Sequence, residues 1–314
     1  MRRFRGALLL LMAAVLVYRA WPRETAALEY RQVHMGMEVR IVIHADAPRS
    51  DSLADQAFAR IAELEAVFSD WRVDSELRKL SAQPSGTWMN VSEPMWTVLE
   101  LALDIARATD GAFDPTVGAL TSLWRESART GEPIADSARA RALRSVGYAS
   151  VELDSASRRV RLNRVGTRLD FGAIAKGWIL DDAANAIAGD DAVLIEAGGD
   201  IVARGTPPHR RGWAVSVHTQ QGDTTVVVRD GAVSTSSARA QLITPKDSAA
   251  EGHVFRTTTG RGANNTLQVA VLGPRAAVTD ALATALPLMP RARWDALLAR
   301  YGVRVIEGPP PDTR

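Results

Sequence analysis

From Met37 to His44 apolar and polar positions alternate. Val39, Ile41 and Ile43 fall on one side and Arg40 and Val42 on the other, which predicts a strand. Between Ser52 and Phe68 the period changes, with Leu53, Ala57, Ile61, Leu64 and Phe68 recurring at helical spacing. A second helix is expected from the cap Ser92, with Pro94 near its first turn, to Thr109, where Gly111 stops it. Residues 151–162 predict a hairpin turning at Asp154-Ser155-Ala156-Ser157, residues 176–188 a helix and residues 192–197 a short buried strand. Strands are expected at 213–218, 224–229 and 267–272, helices at 278–288 and 293–301, and a last strand at 303–306. Neither an internal repeat nor a long linker interrupts the pattern. Strand runs separated by single helices, with hairpins among them, predict an α+β fold of mixed, largely antiparallel sheets flanked by helices.

The N-terminus follows a different rule. Met1-Arg2-Arg3-Phe4-Arg5 is positive, and Gly6 to Tyr18 is an unbroken apolar run ending at Arg19. The run is shorter than the ~20 residues that span a bilayer comfortably and has the length of a signal-peptide core. Thr25-Ala26-Ala27 offers small residues for cleavage, but Arg19, Arg23 and Glu24 separate it from the apolar run. A cleaved signal peptide, an uncleaved membrane anchor and a buried helix are the three readings; either of the first two keeps the early arginines cytoplasmic and exports the rest. The chain thus divides into a signal or anchor at 1–28, a folded body at 29–307 and a Pro-rich tail at 308–314.

Composition narrows the classes. The 314 residues are 46% hydrophobic and 24% charged, close to globular averages, which excludes disorder, collagen and coiled coil for the whole chain. The absence of cysteine excludes disulfides, thiolate catalysis and sulfur-built metal sites. The formal charge of +2 is misleading, because Arg2, Arg3, Arg5, Arg19 and Arg23 all precede the first acid, Glu24. The remainder is net negative and gives no support to nucleic-acid binding. There is no phosphate loop, no H-E-x-x-H pair and no G-x-S-x-G elbow. The five histidines are scattered without metal-ligand spacing.

Four segments are harder to assign to packing alone. Gly111-Ala112-Phe113-Asp114-Pro115-Thr116 places a carboxylate and a rigid turn directly after a helix. Leu169 to Gly177 is a turn of small residues that holds Lys176, one of only three lysines, ahead of a helix N-terminus suited to anions. Glu196-Ala197-Gly198-Gly199-Asp200 ends a buried strand and reads either as a ligand-binding turn or as a tight turn with a capping Asp. Asp280 and Thr284 share one helix face with alanines between them. Two oxygen ligands on such a face suit Mg2+, although an N-cap Asp and a back-bonded Thr would produce the same pattern.

In order and spacing these segments resemble the ApbE family, the FAD:protein FMN transferases of bacterial cell envelopes. The resemblance rests on Met35-Gly36, Trp71 to Leu77, Gly111 to Trp124, Leu169 to Asp181, Leu194 to Gly205, His253, Thr259-Gly260 and Asp280 to Thr284, spanning about residues 29–307. It implies an enzyme that takes FAD and, with Mg2+, attaches FMN through a phosphoester to a Thr or Ser of an envelope acceptor protein, releasing AMP. It further implies flavin-dinucleotide contacts at Met35, Trp71, Ala112, Phe113, Asp114, Asp170, Lys176 and Phe255. The cation is expected at Asp280 and Thr284 with backbone oxygens of Ala173 and Ala283, and His253 and Asp280 are the expected catalytic groups. The implied location is the periplasmic side of the inner membrane.

Three positions depart from the family pattern. Met37 stands where a Thr is usual, and the T-S-G segment reads Thr235-Ser236-Ser237-Ala238-Arg239. In the H-x-x-D-P-x-T-G segment, Arg256-Thr257 replaces Asp-Pro and reverses a charge. Three expectations follow: a divergent transferase, a non-catalytic FAD-binding envelope protein that has lost transfer, or an envelope interaction module without flavin.

Overall fold

The computed structural model describes residues 27–187, 189, 191–219, 222–237, 242–246, 250–263 and 268–307. The apolar N-terminal run, the Pro-rich tail, Ala238-Arg239 and Asn264-Asn265 lie outside the described residues. Among the described residues no helix is long and apolar enough to cross a membrane.

Alternation in the sequence becomes one seven-stranded sheet in which every neighbouring pair is antiparallel and spatial order follows chain order. Its strands are β1 (Ala27–His34), β2 (Met37–His44), β3 (Ala192–Ala197), β4 (Asp200–Arg204), β5 (Gly231–Ser237), β6 (Gln268–Gly273) and β7 (Arg304–Glu307). Because side chains alternate across a strand, Val39, Ile41 and Ile43 of β2 enter the main core while Val42 enters a second core on the opposite face. That second face is covered by the hairpin Trp213–Thr219/Gly222–Val228, whose Trp213, Val215, Val217 and Val228 are buried against Leu194, Val233 and Ala270.

Helices cover the main core. They are α1 (Ala47–Phe68), α2 (Glu76–Ser81), α3 (Glu93–Ala108), α4 (Gly118–Thr130), α5 (Asp136–Ser145), α6 (Ala175–Ala186), α7 (Ala276–Ala285) and α8 (Trp294–Tyr301). α1 starts five residues before its apolar pattern, because Asp46 accepts from Arg49 N at 3.1 Å and Pro48 fits the first turn. α3 begins where expected, with Ser92 accepting from Met95 N, and Glu76 of α2 in turn accepts from Ser92 N and Oγ. The hairpin at 151–162 is present, as Val151–Asp154 paired with Arg159–Leu162.

α6 and α7 pack in close contact at Gly177. A Cβ at Gly177 would lie 2.2 Å from Ala276 O, so no larger residue fits without moving one helix. The two helices also exchange carboxylates at their first turns. Asp280 of α7 accepts from Gly177 N at 3.3 Å, and Asp181 of α6 accepts from Ala277 N at 3.0 Å. Neither helix has a side-chain cap from its own flank, so each supplies the anionic oxygen that the other's unpaired N–H groups require. Arg204 at the end of β4 fixes the second oxygen of Asp181 at 3.1 Å.

Gly177→Ala is therefore expected to destabilise the protein by about 1–3 kcal/mol, the range for overpacking a close contact. Urea unfolding of the two proteins measures this, and an unchanged midpoint and slope would contradict the crossing geometry.

Candidate functional site

At the first turn of α6 the chain delivers Lys176 into the space between the sheet and α7. Its Nζ lies 3.1 Å from each Asp280 oxygen, 3.0 Å from Asp200 Oδ2 and 3.3 Å from Gly172 O. Asp200 reaches this point because Gly198 and Gly199, at φ 56° and 92°, close a two-residue turn between β3 and β4. Asp200 is thus the first residue of β4, with an inward side chain, and caps no turn. Asp280 lies in mid-helix, so the N-cap alternative is set aside as well.

The electrostatics are unbalanced. Asp200 and Asp280 are 2% and 5% exposed, and one ammonium faces two carboxylates. Burial disfavours the Lys176 ammonium, but the two carboxylates outweigh it and raise its pKa above the ordinary lysine value. Burial, reinforced by the Asp200 charge, pushes the Asp280 carboxyl above the ordinary carboxylate range, against the pull of Lys176 and Gly177 N–H. Asp200 Oδ2 is buried and, although within ion-pair distance of Nζ, accepts no hydrogen bond among the described residues. Two buried carboxylates that share one ammonium leave a net negative charge, which fits a small divalent cation. Among the described residues no three His, Asp or Glu side chains gather. That donor set suits Mg2+, which uses one or two carboxylates and takes its other oxygens from water and phosphate. Thr284 follows Asp280 by one turn and is half-buried, while Ala283 is buried and Ala173 half-buried.

A second group of expected residues is tied to this one through backbone. Asp170 N donates to Pro115 O at 2.8 Å, so the Gly111–Thr116 segment runs beside the turn that leads to Lys176. Asp170 itself turns Oδ1 onto Gly172 N at 2.7 Å and shapes that turn. Asp114 is 7% exposed, and its oxygens accept from Thr116 N, Thr116 Oγ1 and Tyr148 N. Burial raises its pKa against those three bonds. Its observed work is to fold the loop. Ala112 packs half-buried on the main core, and the Phe113 ring is buried in it.

The remaining expected residues are more dispersed. Met35 sits at φ 52° in the β1–β2 turn, half-buried against the main core. Trp71 is 74% exposed, with the Arg125 guanidinium 4.2 Å above its ring and the neighbouring Asp70 paired to Arg125. His253 lies edge-on to Trp124 of α4, with 6.3 Å between centroids. Phe255 is buried with Leu120, Ala142 and Val146, so its ring is not open to a ligand. Thr257, one of the two departures in this segment, donates from Oγ1 to Gly111 O at 2.8 Å and so ties the His253–Gly260 loop to the Asp114 loop. Arg256 is exposed and lies opposite Arg261 in a short antiparallel pair.

A separate cleft of about 360 Å³, lined by residues including Pro133, Arg139, Glu251 and Arg261, contains none of the expected residues. Its buried Arg139 and half-buried Glu251 are already paired with each other. Two members of this network had no role assigned from the sequence: Asp200, which ended a segment left open between a ligand-binding turn and a capped tight turn, and Asp181. The signal for the first was a carboxylate placed by two glycines after a buried strand. For the second it was an Asp on the buried side of a helix.

The ApbE family model matches residues 35–306. The chain is 29% identical to the FAD:protein FMN transferase of Treponema pallidum, with 87% of this chain and 82% of that protein covered. It is 28% identical to the FAD:protein FMN transferase of Vibrio cholerae, with 82% and 79% covered. Among solved structures, the ApbE protein of Thermotoga maritima superposes with a TM-score of 0.79 at 26% identity, covering 90% of this chain and 94% of that one. With the match running from the β1–β2 turn through α7 to β7, and so including every site segment above, the chain belongs to the ApbE family.

Proposed function

We propose that the protein is a Mg2+-dependent FAD:protein FMN transferase that moves the FMN half of FAD onto a Thr or Ser hydroxyl of an exported acceptor protein and releases AMP. The observation that carries this reading is the convergence of Lys176, Asp200 and Asp280 at the N-terminus of α6. The names of the Treponema and Vibrio relatives support the same activity.

The chemistry asks little covalent work of the protein. The acceptor oxygen forms a bond to the FMN phosphorus, the bond from that phosphorus to the bridging oxygen breaks, and AMP leaves with that oxygen. Asp280 and Thr284, with the carbonyls of Ala173 and Ala283, would hold the cation. When bound, Mg2+ neutralises charge on the diphosphate. Lys176 and the α6 N-terminus bind the phosphate oxygens. Met35, Trp71, Ala112, Phe113, Asp114, Asp170 and the backbone at Phe255 would position the rest of the dinucleotide. His253 takes the proton of the acceptor hydroxyl, histidine being the side chain most often used as a general base at physiological pH. The positive, apolar N-terminus directs this body to the periplasmic face of the inner membrane, where it is anchored or released.

Incubating the full chain with FAD, Mg2+ and a Thr-containing acceptor, then assaying bound flavin and AMP, tests the reading. AMP release with flavin on the acceptor is expected. FAD retained without AMP would indicate a flavin-binding protein that has lost transfer, and no flavin at all would indicate an interaction module. Asp280→Asn should lower transfer at least about a hundredfold at limiting Mg2+, and wild-type turnover would remove Asp280 from the site. His253→Asn should abolish transfer while leaving FAD affinity intact; unchanged transfer would exclude His253 as the base.

A further inference from the structure

Three charges meet at the first turn of α6, and their geometry is more than a generic ion-pair cluster. The Lys176 ammonium is bidentate to Asp280, 3.1 Å from both oxygens, and so stands on the carboxylate assigned above to the cation. It is simultaneously 3.0 Å from Asp200 Oδ2. That oxygen is buried and accepts no hydrogen bond among the described residues, so a close, poorly aligned partner is already beside it. The Lys176 side chain is 23% exposed, against 3% for Asp200 and 7% for Asp280, so the lysine is the one member of the cluster with room to move.

We propose that Lys176 is an internal counter-ion that keeps the cation's place on Asp280, and that Asp200 is the positioning residue that receives the ammonium when a divalent cation takes Asp280. This rests on the assignment of Asp280 to the cation made under the proposed function. A buried carboxylate left without a positive partner is costly. Without metal, Lys176 compensates both carboxylates. With metal on Asp280, the ammonium would face a like charge a few ångströms away unless a second anion held it. Asp200 supplies that anion at a distance requiring only rotation of the lysine side chain. The exchange leaves no carboxylate unpaired in either state. It also leaves the ammonium beside the Gly172–Ala173 turn, where it can meet a phosphate oxygen.

Asp200 therefore acts through Lys176 and not as a metal ligand, and a double-mutant cycle separates the two roles. The probe is Mn2+ binding to the FAD-free full chain, followed by electron paramagnetic resonance, in wild type, Asp200→Asn, Lys176→Met and the double variant. Asp200→Asn should weaken Mn2+ binding about tenfold or more, because the ammonium is then confined to Asp280. Lys176→Met should tighten it about tenfold. In the Lys176→Met background, adding Asp200→Asn should change affinity by no more than about threefold. Lys176→Gln, which keeps a donor toward Asp280, replaces the Met variant if that protein does not fold. Equal losses on Asp200→Asn in both backgrounds would overturn the proposal, since a direct ligand or a simple background charge acts whether or not the lysine is present. Failure of every variant and the wild type to bind Mn2+ would overturn it too. Flavin transfer is not read in this experiment, so a protein that shows the expected cycle but never transfers flavin would refute the proposed activity and leave this exchange standing.

Discussion

The crossing of α6 and α7 at Gly177 is the constraint from which the site follows. Ala276 O occupies the space a Cβ would need, so the helices meet backbone to backbone. At that separation their first turns lie within reach of each other's side chains, and Asp280 and Asp181 serve as exchanged caps. The same contact brings Lys176, the residue before Gly177, against Asp280. The tight β3–β4 turn at Gly198-Gly199 then places Asp200 opposite both. Three elements far apart in the chain are thereby committed to one small volume.

That volume is not arranged for stability. Two buried carboxylates and one ammonium are harder to accommodate than apolar side chains of similar size, because desolvation offsets much of the ion pairing. Burial, reinforced by the Asp200 charge, raises the Asp280 pKa, whereas the two carboxylates raise that of Lys176 against its burial. A fold that needed only to hold α6 against α7 could do so with Gly177 and Asp181, whose carboxylate is fully used by Ala277 N and Arg204. The Lys176–Asp200–Asp280 cluster exceeds that need, and the cation and diphosphate of the proposed function would use it. The Asp114 loop supplies the contrast, since there every carboxylate oxygen has a backbone or hydroxyl donor and the result is a rigid turn.

Much of this was legible in the sequence, for physical reasons that differ by element. α1 and α3 were readable because each buries one face and carries the helical period. β2 was readable because apolar and polar positions alternate along it, and β3 because both its faces are buried and it reads as a short apolar run. α4 and α5 were not, because their buried positions include Gly118, Ser127, Arg139 and Ser145 in place of an apolar stripe. β1 was missed because it is an edge strand with mostly exposed side chains. β4 was missed because it is short and follows a glycine pair that reads as a turn. Asp280 stood out through its helical spacing to Thr284 and Lys176 through the rarity of lysine in an arginine-rich chain, and the structure brings Asp280 and Lys176 together. Asp200 was visible only as one of two readings of the Gly-Gly-Asp turn, since its partners lie 24 and 80 residues away and only the sheet register brings it to them. Thr257 departs from the family motif yet bonds Gly111 O, which shows one way the altered loop keeps its attachment.

The account depends most on the cation standing at the carboxylate of α7 next to the α6 N-terminus. A crystal of the full chain grown with FAD and Mn2+, measured at the manganese absorption edge, locates the metal directly by its anomalous signal. The account predicts a peak within coordination distance of the Asp280 carboxylate, with the Lys176 ammonium displaced from it toward Asp200. A manganese peak elsewhere in the molecule, with Lys176 still bidentate to Asp280, would contradict it.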